Sequence, residues 1–297
     1  MTYLSVAEMA KRWGLSERTV RNYCAYSKIR GAFLLGKIWN IPEDAIKPER
    51  INKGTKTAHN LAEILKIEKN AKISGGIYHK LQIDLTFNSN HMEGSKLTQD
   101  QTRYIFDTKT IGMQEDNLNI DDIVETANHF RCIDLVIDNV NYVLSENFIK
   151  RLHGMLKNGT SDSGYDWIAI GDYKKRPNEV GGRETTAPEN VSNAMQELLA
   201  SYNLKKEKTF EDIVEFHYNF EAIHPYQDGN GRVGRLIILK ECLRNNIVPF
   251  IVDEELKLFY YRGLHEWNNE RGYLKDTCLS AQDKFKKVLN YFRVPYK

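Results

Sequence analysis

The sequence predicts a mainly α-helical protein, with one β-hairpin in its larger part and a small module of short elements at its N-terminus. Three observations support this prediction. Apolar residues recur at intervals of three and four over most of the chain after residue 60. Ser5 and Thr209 are each followed three positions later by an acidic residue, which is typical of a helix start. Residues 165–182 interrupt the helical pattern with part-alternating residues and turn signals, as a hairpin does.

The composition is that of a globular protein with an apolar core. The chain has 297 residues, of which 41% are hydrophobic, enough for one large domain and a small one. The net charge of +2 excludes a protein that is basic throughout. Residues 1–50 nevertheless carry 9 Lys and Arg against 5 Asp and Glu, so their charge is +4 and the remainder is −2.

Cysteine usage and hydropathy bear on the cellular compartment. Four widely spaced cysteines form no C-x-x-C pair, so we expect free thiols in a reducing compartment. No stretch approaches 18 apolar residues, and the N-terminus lacks a basic and then apolar signal region. We therefore expect a cytoplasmic protein without a membrane partner. The cysteines are Cys24, Cys132, Cys242 and Cys278.

The first fifty residues are predicted to be a helix-turn-helix module. Ser5 and Glu8 form a capping-box pattern at the start of a helix that runs to Trp13. Gly14 ends this helix, and Ser16 caps a second one that continues to about residue 26.

Basic and polar side chains on the second helix suggest what this module binds. Arg18, Arg21 and Asn22 are able to reach phosphates or base edges. Residues 33–41 form a predicted hairpin around Gly36 and Lys37, as a wing. The stretch resembles the DNA-binding modules of excisionases and MerR-type regulators. The resemblance implies duplex DNA as a partner of residues 1–50, and a protein-interaction or structural module is the alternative.

The rest of the chain divides into three predicted segments. Residues 51–60 are polar and aperiodic, as in a linker. Residues 61–110 are predicted to be helical, although residues 77–87 alternate like a strand, because no partner strand or turn accompanies them. Residues 111–297 form the third segment, the core of the larger domain.

Helices are expected over most of residues 98–156 and from Pro188 onward. A hairpin with a turn at Pro177 and Asn178 is expected between them, and a last helix runs over residues 283–296. Four polar residues in the first region are interpreted as packing groups, since no cluster has zinc spacing. They are Glu125, Asn128, His129 and His153.

The stretch from His224 to Arg235 combines several kinds of functional residue between two predicted helices. The first helix begins after Thr209, and the second ends near Asn245. A histidine side chain ordinarily titrates near neutral pH, so we expect His224 to suit a general base, and Asp228 offers a hard oxygen ligand to Mg²⁺.

Glycines and free N–H groups at the start of the second helix predict an anion site, beside which two arginines share one helical face. Together these groups indicate attack on a phosphate. The predicted phosphate-binding residues are Gly229, Asn230, Gly231, Arg232 and Arg235.

This stretch resembles the signature of the Fic family, His-x-Phe-x-Asp/Glu-Gly-Asn-Gly-Arg-x-x-Arg. It departs from the signature at Tyr226, where the family usually has Phe; this keeps an aromatic anchor but adds a hydroxyl that needs a partner if buried. The resemblance covers about residues 85–275 and implies a Fic-type helical core with a β-hairpin flap.

A second resemblance lies upstream, at residues 89–94. Ser89 and Glu93 match the family's inhibitory motif, Ser/Thr-x-x-x-Glu-Gly/Asn, and lie one helical turn apart. A Glu93 carboxylate is able to pair bidentately with Arg235, which the terminal phosphate of a nucleotide would otherwise occupy. The alternative is a helix end capped at Gly94.

The resemblance implies a protein adenylyltransferase that moves AMP from ATP, with Mg²⁺, to a Ser, Thr or Tyr hydroxyl of a target protein or of itself. It also implies nucleoside contacts at Tyr260, Tyr261 and Asn268. The hairpin becomes a flap that docks the target. Its target-docking residues are Pro177, Asn178, Glu179 and Val180.

Several alternatives remain open at this point. The core of a DNA-binding transcription regulator would need only to sense a nucleotide, although a sensor has no need of His224. A related transferase or kinase would move another phosphate-linked group, such as UMP or phosphocholine. Glu93 would also be able to orient a water molecule that removes AMP. A second copy of the chain is a further expected partner.

Overall fold

A computed structural model of the protein describes residues 2–25, 29, 31–36, 38–48, 60–111 and 118–296. The chain divides into two compact units, Met1–Thr57 and Ala58–Lys297. Over the described residues it contains twelve α-helices and five short strands, so the prediction of a mainly α-helical protein is confirmed.

Two helices and a small sheet make up the first unit. Helix α1 (Val6–Trp13) begins at the predicted capping box and ends at Gly14, whose φ of 64° lies in the left-handed region. Helix α2 (Glu17–Ala25) follows, with the Ser16 hydroxyl accepting the Thr19 N–H at 3.2 Å.

Three antiparallel strands of this unit pair in the order β1, β3, β2. They are β1 (Tyr3–Leu4), β2 (Phe33–Leu35) and β3 (Ile38–Pro42). The predicted hairpin is therefore present, with Lys37 of its turn outside the described residues. Strand β1 was not predicted, because two residues are too few to show alternation. Met9, Val20 and Ile41 form the centre of the unit's own core, each fully buried.

The second unit begins at α3 (Leu61–Asn70), whose N-cap is Asn60 in a capping box with Glu63. Asn60 was the last residue of the predicted linker, and residues 51–59 lie outside the described part of the chain. The other helices before the flap are α4 (Ile77–Met92), α5 (Gln99–Thr108), α6 (Ile120–Asp138) and α7 (Glu146–Leu156), followed by a short 3-10 helix (Ser161–Gly164). Beyond the flap come α8 (Pro188–Leu204), α9 (Phe210–Ile223), α10 (Asn230–Arg244), α11 (Glu254–Glu266) and α12 (Gly272–Tyr291).

The burial of helix α4 explains why its sequence alternates like that of a strand. The helix is buried on several sides, so polar Gln82, Thr86 and Ser89 lie inside together with Leu81 and Leu85. A helix enclosed by other helices shows no clear apolar stripe. The helical prediction for residues 77–87 is confirmed.

The flap differs from the predicted hairpin in length and in the position of its turn. Its strands are β4 (Glu179–Val180) and β5 (Arg183–Glu184), and the turn is Gly181–Gly182, not Pro177–Asn178. Both glycines have positive φ, 57° and 76°, which suits a two-residue hairpin turn and which other residues rarely adopt. Residues 167–176 form turns and bends.

Helix α10 lies at the centre of the second unit and packs against α3, α4, α6, α7 and α9. Most of its side chains are buried, including charged ones. Helix α12 begins at Gly272, eleven residues before the predicted start at Asp283. All four cysteines are buried free thiols. Over the described residues, we find no helix whose length and hydropathy would let it cross a bilayer.

Candidate active site

The predicted catalytic stretch lies at the junction of α9 and α10. Helix α9 begins at the predicted capping box of Thr209 and Asp212 and ends at His224. His224 has a positive φ of 51° and donates its backbone N–H to the carbonyl of Phe220 at 3.0 Å. Gly229, also with positive φ, is the N-cap of α10. This junction holds the histidine at one helix end beside the free N–H groups of the next helix.

The environment of His224 keeps its imidazole uncharged at neutral pH. Burial, reinforced by the positive charge of Lys174, lowers the pKa of His224 to about 4. Glu93 and Asp228 act in the opposite direction and more weakly. An uncharged imidazole is able to accept a proton, so the geometry and the protonation state both suit a general base.

The Asn230 side chain fixes the shape of the loop between the two helices. Its Oδ1 accepts the N–H of Tyr226 at 2.8 Å, and its Nδ2 donates to the carbonyl of Tyr226, also at 2.8 Å. Both ends of the amide are therefore occupied within the loop. What Asn230 retains for an anion is its backbone N–H in the first turn of α10.

His153, interpreted from the sequence as a packing group, supports the same loop from α7. Its Nδ1 accepts the N–H of Gly171 at 3.0 Å, so its Nε2 is the nitrogen that donates to the carbonyl of Asp228, at 3.2 Å. Its ring stacks on Tyr226 with centroids 3.8 Å apart. The buried Tyr226 hydroxyl has no hydrogen-bond partner among the described residues.

Charged side chains form a network beneath the loop. Lys157 contacts Asp162 at 2.7 Å and Asp228 at 2.6 Å, and it also pairs with Glu125. Arg232 pairs with Glu125 and lies 3.1 Å from Asp228. The role of Lys157 was not predicted from the sequence, and Glu125 was interpreted as a packing group. Glu125 lies in α6 and Lys157 follows α7, so both are distant in the chain from the loop that they contact.

Asp228 is ionised in this network and suits a magnesium ion. Burial opposes its ionisation, but Arg232 and Lys157 hold its pKa at about 2. Lys157 Nζ and Arg232 Nη2 both contact Oδ2 of Asp228, and the Asp228 side chain is 47% exposed. Among the described residues, no three His, Cys, Asp or Glu side chains form a metal cluster. A single carboxylate fits an ion that arrives with nucleotide phosphates, which supply the other ligands.

Arg235 is buried and bound to the end of α4. Its Nε donates to the Ser89 hydroxyl at 2.9 Å, and its Nη2 donates to the Ser89 carbonyl at 2.9 Å and to Glu93 Oε1 at 2.6 Å. The predicted pair of Glu93 and Arg235 is thus present, through one carboxylate oxygen and not bidentately. A Cβ atom on Gly231 would overlap that carboxylate, so Glu93 lies over the first turn of α10. Its negative charge occupies the anion site predicted there.

A cleft of about 850 Å³ brings many of the predicted residues together. Glu179 and Val180 of the flap line it, whereas Pro177 and Asn178 precede the first flap strand and Asn178 donates to the carbonyl of Tyr226 at 3.1 Å. The predicted residues that line the cleft are His224, Gly231, Arg235, Glu93, Tyr260, Tyr261, Asn268, Glu179 and Val180.

The predicted nucleoside residues differ in their exposure. Tyr260 is 1% exposed and its hydroxyl contacts His217 Nε2 at 2.5 Å, so it forms a buried part of the cleft wall. Tyr261 is 40% exposed and donates to the carbonyl of Met92 at 3.1 Å. Glu221 also lines the cleft, and its burial raises its pKa to about 8. Nothing in the sequence distinguishes Glu221 from other residues of α9.

Comparison with known proteins decides the family. Residues 143–242, which include the whole junction of α9 and α10, match the model of the Fic/DOC family. This match places a Fic/DOC family domain at residues 143–242.

Relatives of this Fic domain include protein adenylyltransferase Fic from Drosophila melanogaster, 27% identical over 192 residues. The match covers 63% of this chain and 36% of that relative. The Drosophila persimilis protein of the same name is 26% identical over 210 residues, or 69% of this chain and 38% of the relative. The chain thus spans little more than a third of the length of these relatives.

Solved structures confirm the Fic fold. A Fic domain containing signaling protein from Bacteroides thetaiotaomicron is 25% identical, with a TM-score of 0.58 over 77% of this chain and 90% of that one. Fic-1 from C. elegans is 18% identical, with a TM-score of 0.60 over 77% of this chain and 71% of that one.

Proposed function

We propose that the Fic domain transfers AMP from ATP to a Ser, Thr or Tyr hydroxyl of a protein, and that Glu93 inhibits this transfer. One observation carries the proposal: an uncharged His224 shares a cleft with Arg235 and the N-terminus of α10. A base, a phosphate-binding helix end and a buried arginine are thereby within one site. The curated relatives' name, protein adenylyltransferase, supports the same reaction.

In the proposed reaction, His224 takes the proton of the target hydroxyl. The hydroxyl oxygen forms a bond to the α-phosphorus, and the bond from that phosphorus to the β-phosphate oxygen breaks, so pyrophosphate leaves. The N–H groups of Gly231 and Asn230 bind the phosphates at the start of α10. Asp228 would hold a magnesium ion, which supplies positive charge to the phosphates when bound.

The arginines have different parts in this proposal. Arg232 is buried and paired with Glu125 and Asp228, so it orients the carboxylate beside the β-phosphate. Arg235 binds the γ-phosphate once Glu93 has withdrawn. Glu93 competes with that phosphate in two ways, since it occupies the guanidinium and brings negative charge to the anion site.

The position of the label on ATP tests the proposed reaction. The Glu93→Gly protein is incubated with ATP labelled on the α-phosphate, and in parallel with ATP labelled on the γ-phosphate. We expect covalent label on protein from ATP labelled at the α-phosphate alone. We expect no label when the protein carries His224→Ala together with Glu93→Gly. Labelled GTP, UTP and CTP in the same assay measure the nucleotide preference.

Each of the other outcomes identifies a different function. Label from the γ-position would show a kinase, and label that survives His224→Ala would contradict the role of His224. ATP binding without any label would favour a nucleotide sensor. Loss of AMP from pre-labelled protein in the wild type, but not in Glu93→Gly, would assign AMP removal to Glu93.

A further inference from the structure

Lys174 is a buried lysine at the base of the flap, outside the residues considered so far for catalysis. It is 3% exposed. Its Nζ donates to Asn178 Oδ1 at 2.8 Å, to Thr185 Oγ1 at 2.6 Å and to the carbonyl of Ile223 at 3.5 Å. Asn178 immediately precedes β4 and Thr185 immediately follows β5. One ammonium group therefore joins both ends of the flap to the residue before His224.

Two further bonds strengthen this connection. The backbone N–H of Lys174 donates to the carbonyl of Pro225 at 2.9 Å. The Asn178 Nδ2 donates to the carbonyl of Tyr226 at 3.1 Å. The base of the flap is thus bonded to the chain on either side of His224, and a buried, fully bonded amine restricts motion between the two segments.

The charge of Lys174 also acts on the site. Among the described residues, no carboxylate forms an ion pair with Lys174, and its three acceptors are neutral. Burial lowers its pKa to about 8, so it is largely protonated at neutral pH. Among the charges with the largest effect on the pKa of His224, Lys174 lowers it, whereas Glu93 and Asp228 raise it.

We propose that Lys174 is a positioning residue that holds the flap in a fixed place relative to His224 and keeps its ammonium charge next to the chain segment that carries that histidine. A target segment that docks on the flap would then meet the base in one geometry. The inference rests on the proposed function only for the role of the flap, and its tests require no transferase activity.

The first test measures hydrogen exchange of the flap in the full-length protein. Lys174→Met keeps the length of the side chain but removes its bonds and charge. We expect the amides of residues 178–185 to exchange at least roughly fivefold faster, as for the loss of one or more hydrogen bonds, with α10 unchanged. Thr185→Val removes one acceptor and should accelerate the same amides to a smaller extent. Lys175→Met is the matched control, because the exposed Lys175 donates to the carbonyl of Asp166, outside the flap.

The second test follows the titration of His224 by NMR of histidine-labelled protein, with His224→Ala to assign the signal. Lys174→Met should raise the pKa of His224, because a positive charge has been removed. Lys174→Arg and Thr185→Val keep that charge and should leave the pKa near its wild-type value. A merely structural lysine would not separate these variants in this way. The proposal would be overturned if Lys174→Met and Lys175→Met showed the same flap exchange and the same His224 titration. If Lys174→Met does not fold, unchanged flap exchange in Thr185→Val would overturn it.

Discussion

At the scale of single residues, Tyr226 departs from the family signature at a place where the core is fully packed. Its side chain has no exposed surface, and its ring stacks on His153. From the sequence, a hydroxyl buried at this position is expected to need a hydrogen-bond partner. The sequence does not reveal that the described residues around Tyr226 provide none. An unpaired buried hydroxyl loses its hydration without compensation, so we expect this one to destabilise the fold.

Replacing Tyr226 with Phe should therefore stabilise the protein. We expect an increase of about 1 kcal/mol in the free energy of unfolding, because the substitution removes one unpaired polar atom and keeps the ring. For a unit of this size the melting temperature should rise by roughly 2–4 °C. Calorimetry of the two proteins measures the change, and Tyr142→Phe, at an exposed position, is the control. A lower melting temperature for Tyr226→Phe would mean that the hydroxyl is bonded in solution.

Glu221 should make the stability depend on pH in a recognisable way. Burial raises its pKa in the folded protein to about 8, above the usual 4.5, so the folded state keeps a proton that the unfolded state releases. The free energy of unfolding should therefore fall as the pH rises from about 4.5 to about 8. Glu221→Gln cannot ionise, so the difference between variant and wild type should shift in favour of the variant across that range. Denaturant titrations at pH 5 and pH 8 measure this, and a constant difference would contradict the raised pKa.

At the scale of elements, the starts of helices could be predicted from local sequence signals, whereas the turn of the flap could not. Capping residues such as Ser5 and Thr209 form hydrogen bonds within their own helix, so they could be predicted from the sequence. Asn60 caps α3 in the same way, but it was assigned to the linker. Two pairs of turn-forming residues compete for the turn of the flap, Pro177–Asn178 and Gly181–Gly182. Tertiary bonds decide this, since Asn178 is bonded to Lys174 and to the catalytic loop.

The contact between the end of α4 and α10 predicts a definite order of activities. Glu93→Gly should raise labelling about tenfold or more if the lost competition is worth ~1.4 kcal/mol. Arg235→Ala should not raise it, because the γ-phosphate loses its guanidinium as well. The double variant should resemble Arg235→Ala alone. Labelling and ATP affinity are measured for all four proteins, and equal activity of wild type and Glu93→Gly in transfer and in AMP removal would show that Glu93 has no regulatory role.

At the scale of the whole molecule, positive charge is concentrated in the first of two compact units. The +4 of residues 1–50 contrasts with −2 for the rest, and α2 carries exposed Arg18 and Arg21. Two helices joined at Gly14 and a hairpin are present in this unit. DNA binding by the unit stays a prediction, motivated by its charge and these elements.

Binding to duplex DNA should weaken steeply with salt, through release of counterions. In the full-length protein, replacing Arg18 and Arg21 together with Ala should reduce the slope of log affinity against log salt by about 2, if each contacts one phosphate. Lys66→Ala with Lys206→Ala removes the same charge from the second unit and is the control. Mobility-shift titrations at several salt concentrations measure the slopes, and equal behaviour of the two variants would assign this unit another role.

The site could be predicted from the sequence where its residues are close together in the chain. His224, Asp228 and Arg235 lie within one loop and the first two turns of one helix, so their spacing is informative. The supporting residues could not be found in this way. Lys157 and Lys174 reach the loop from segments more than 45 residues away, and only the packing of α7 and the flap base brings them there.

The ion pair of Glu93 and Arg235 lies inside one compact unit of one chain. A contact of this kind forms in a first-order process, so the fraction of molecules in which it exists is the same at nanomolar and at micromolar protein. Dilution cannot release it, and neither can a rise or fall in expression. A competing ligand would change that fraction, so under the proposed function the ratio of the ATP concentration to the dissociation constant of ATP would set the activity of each molecule.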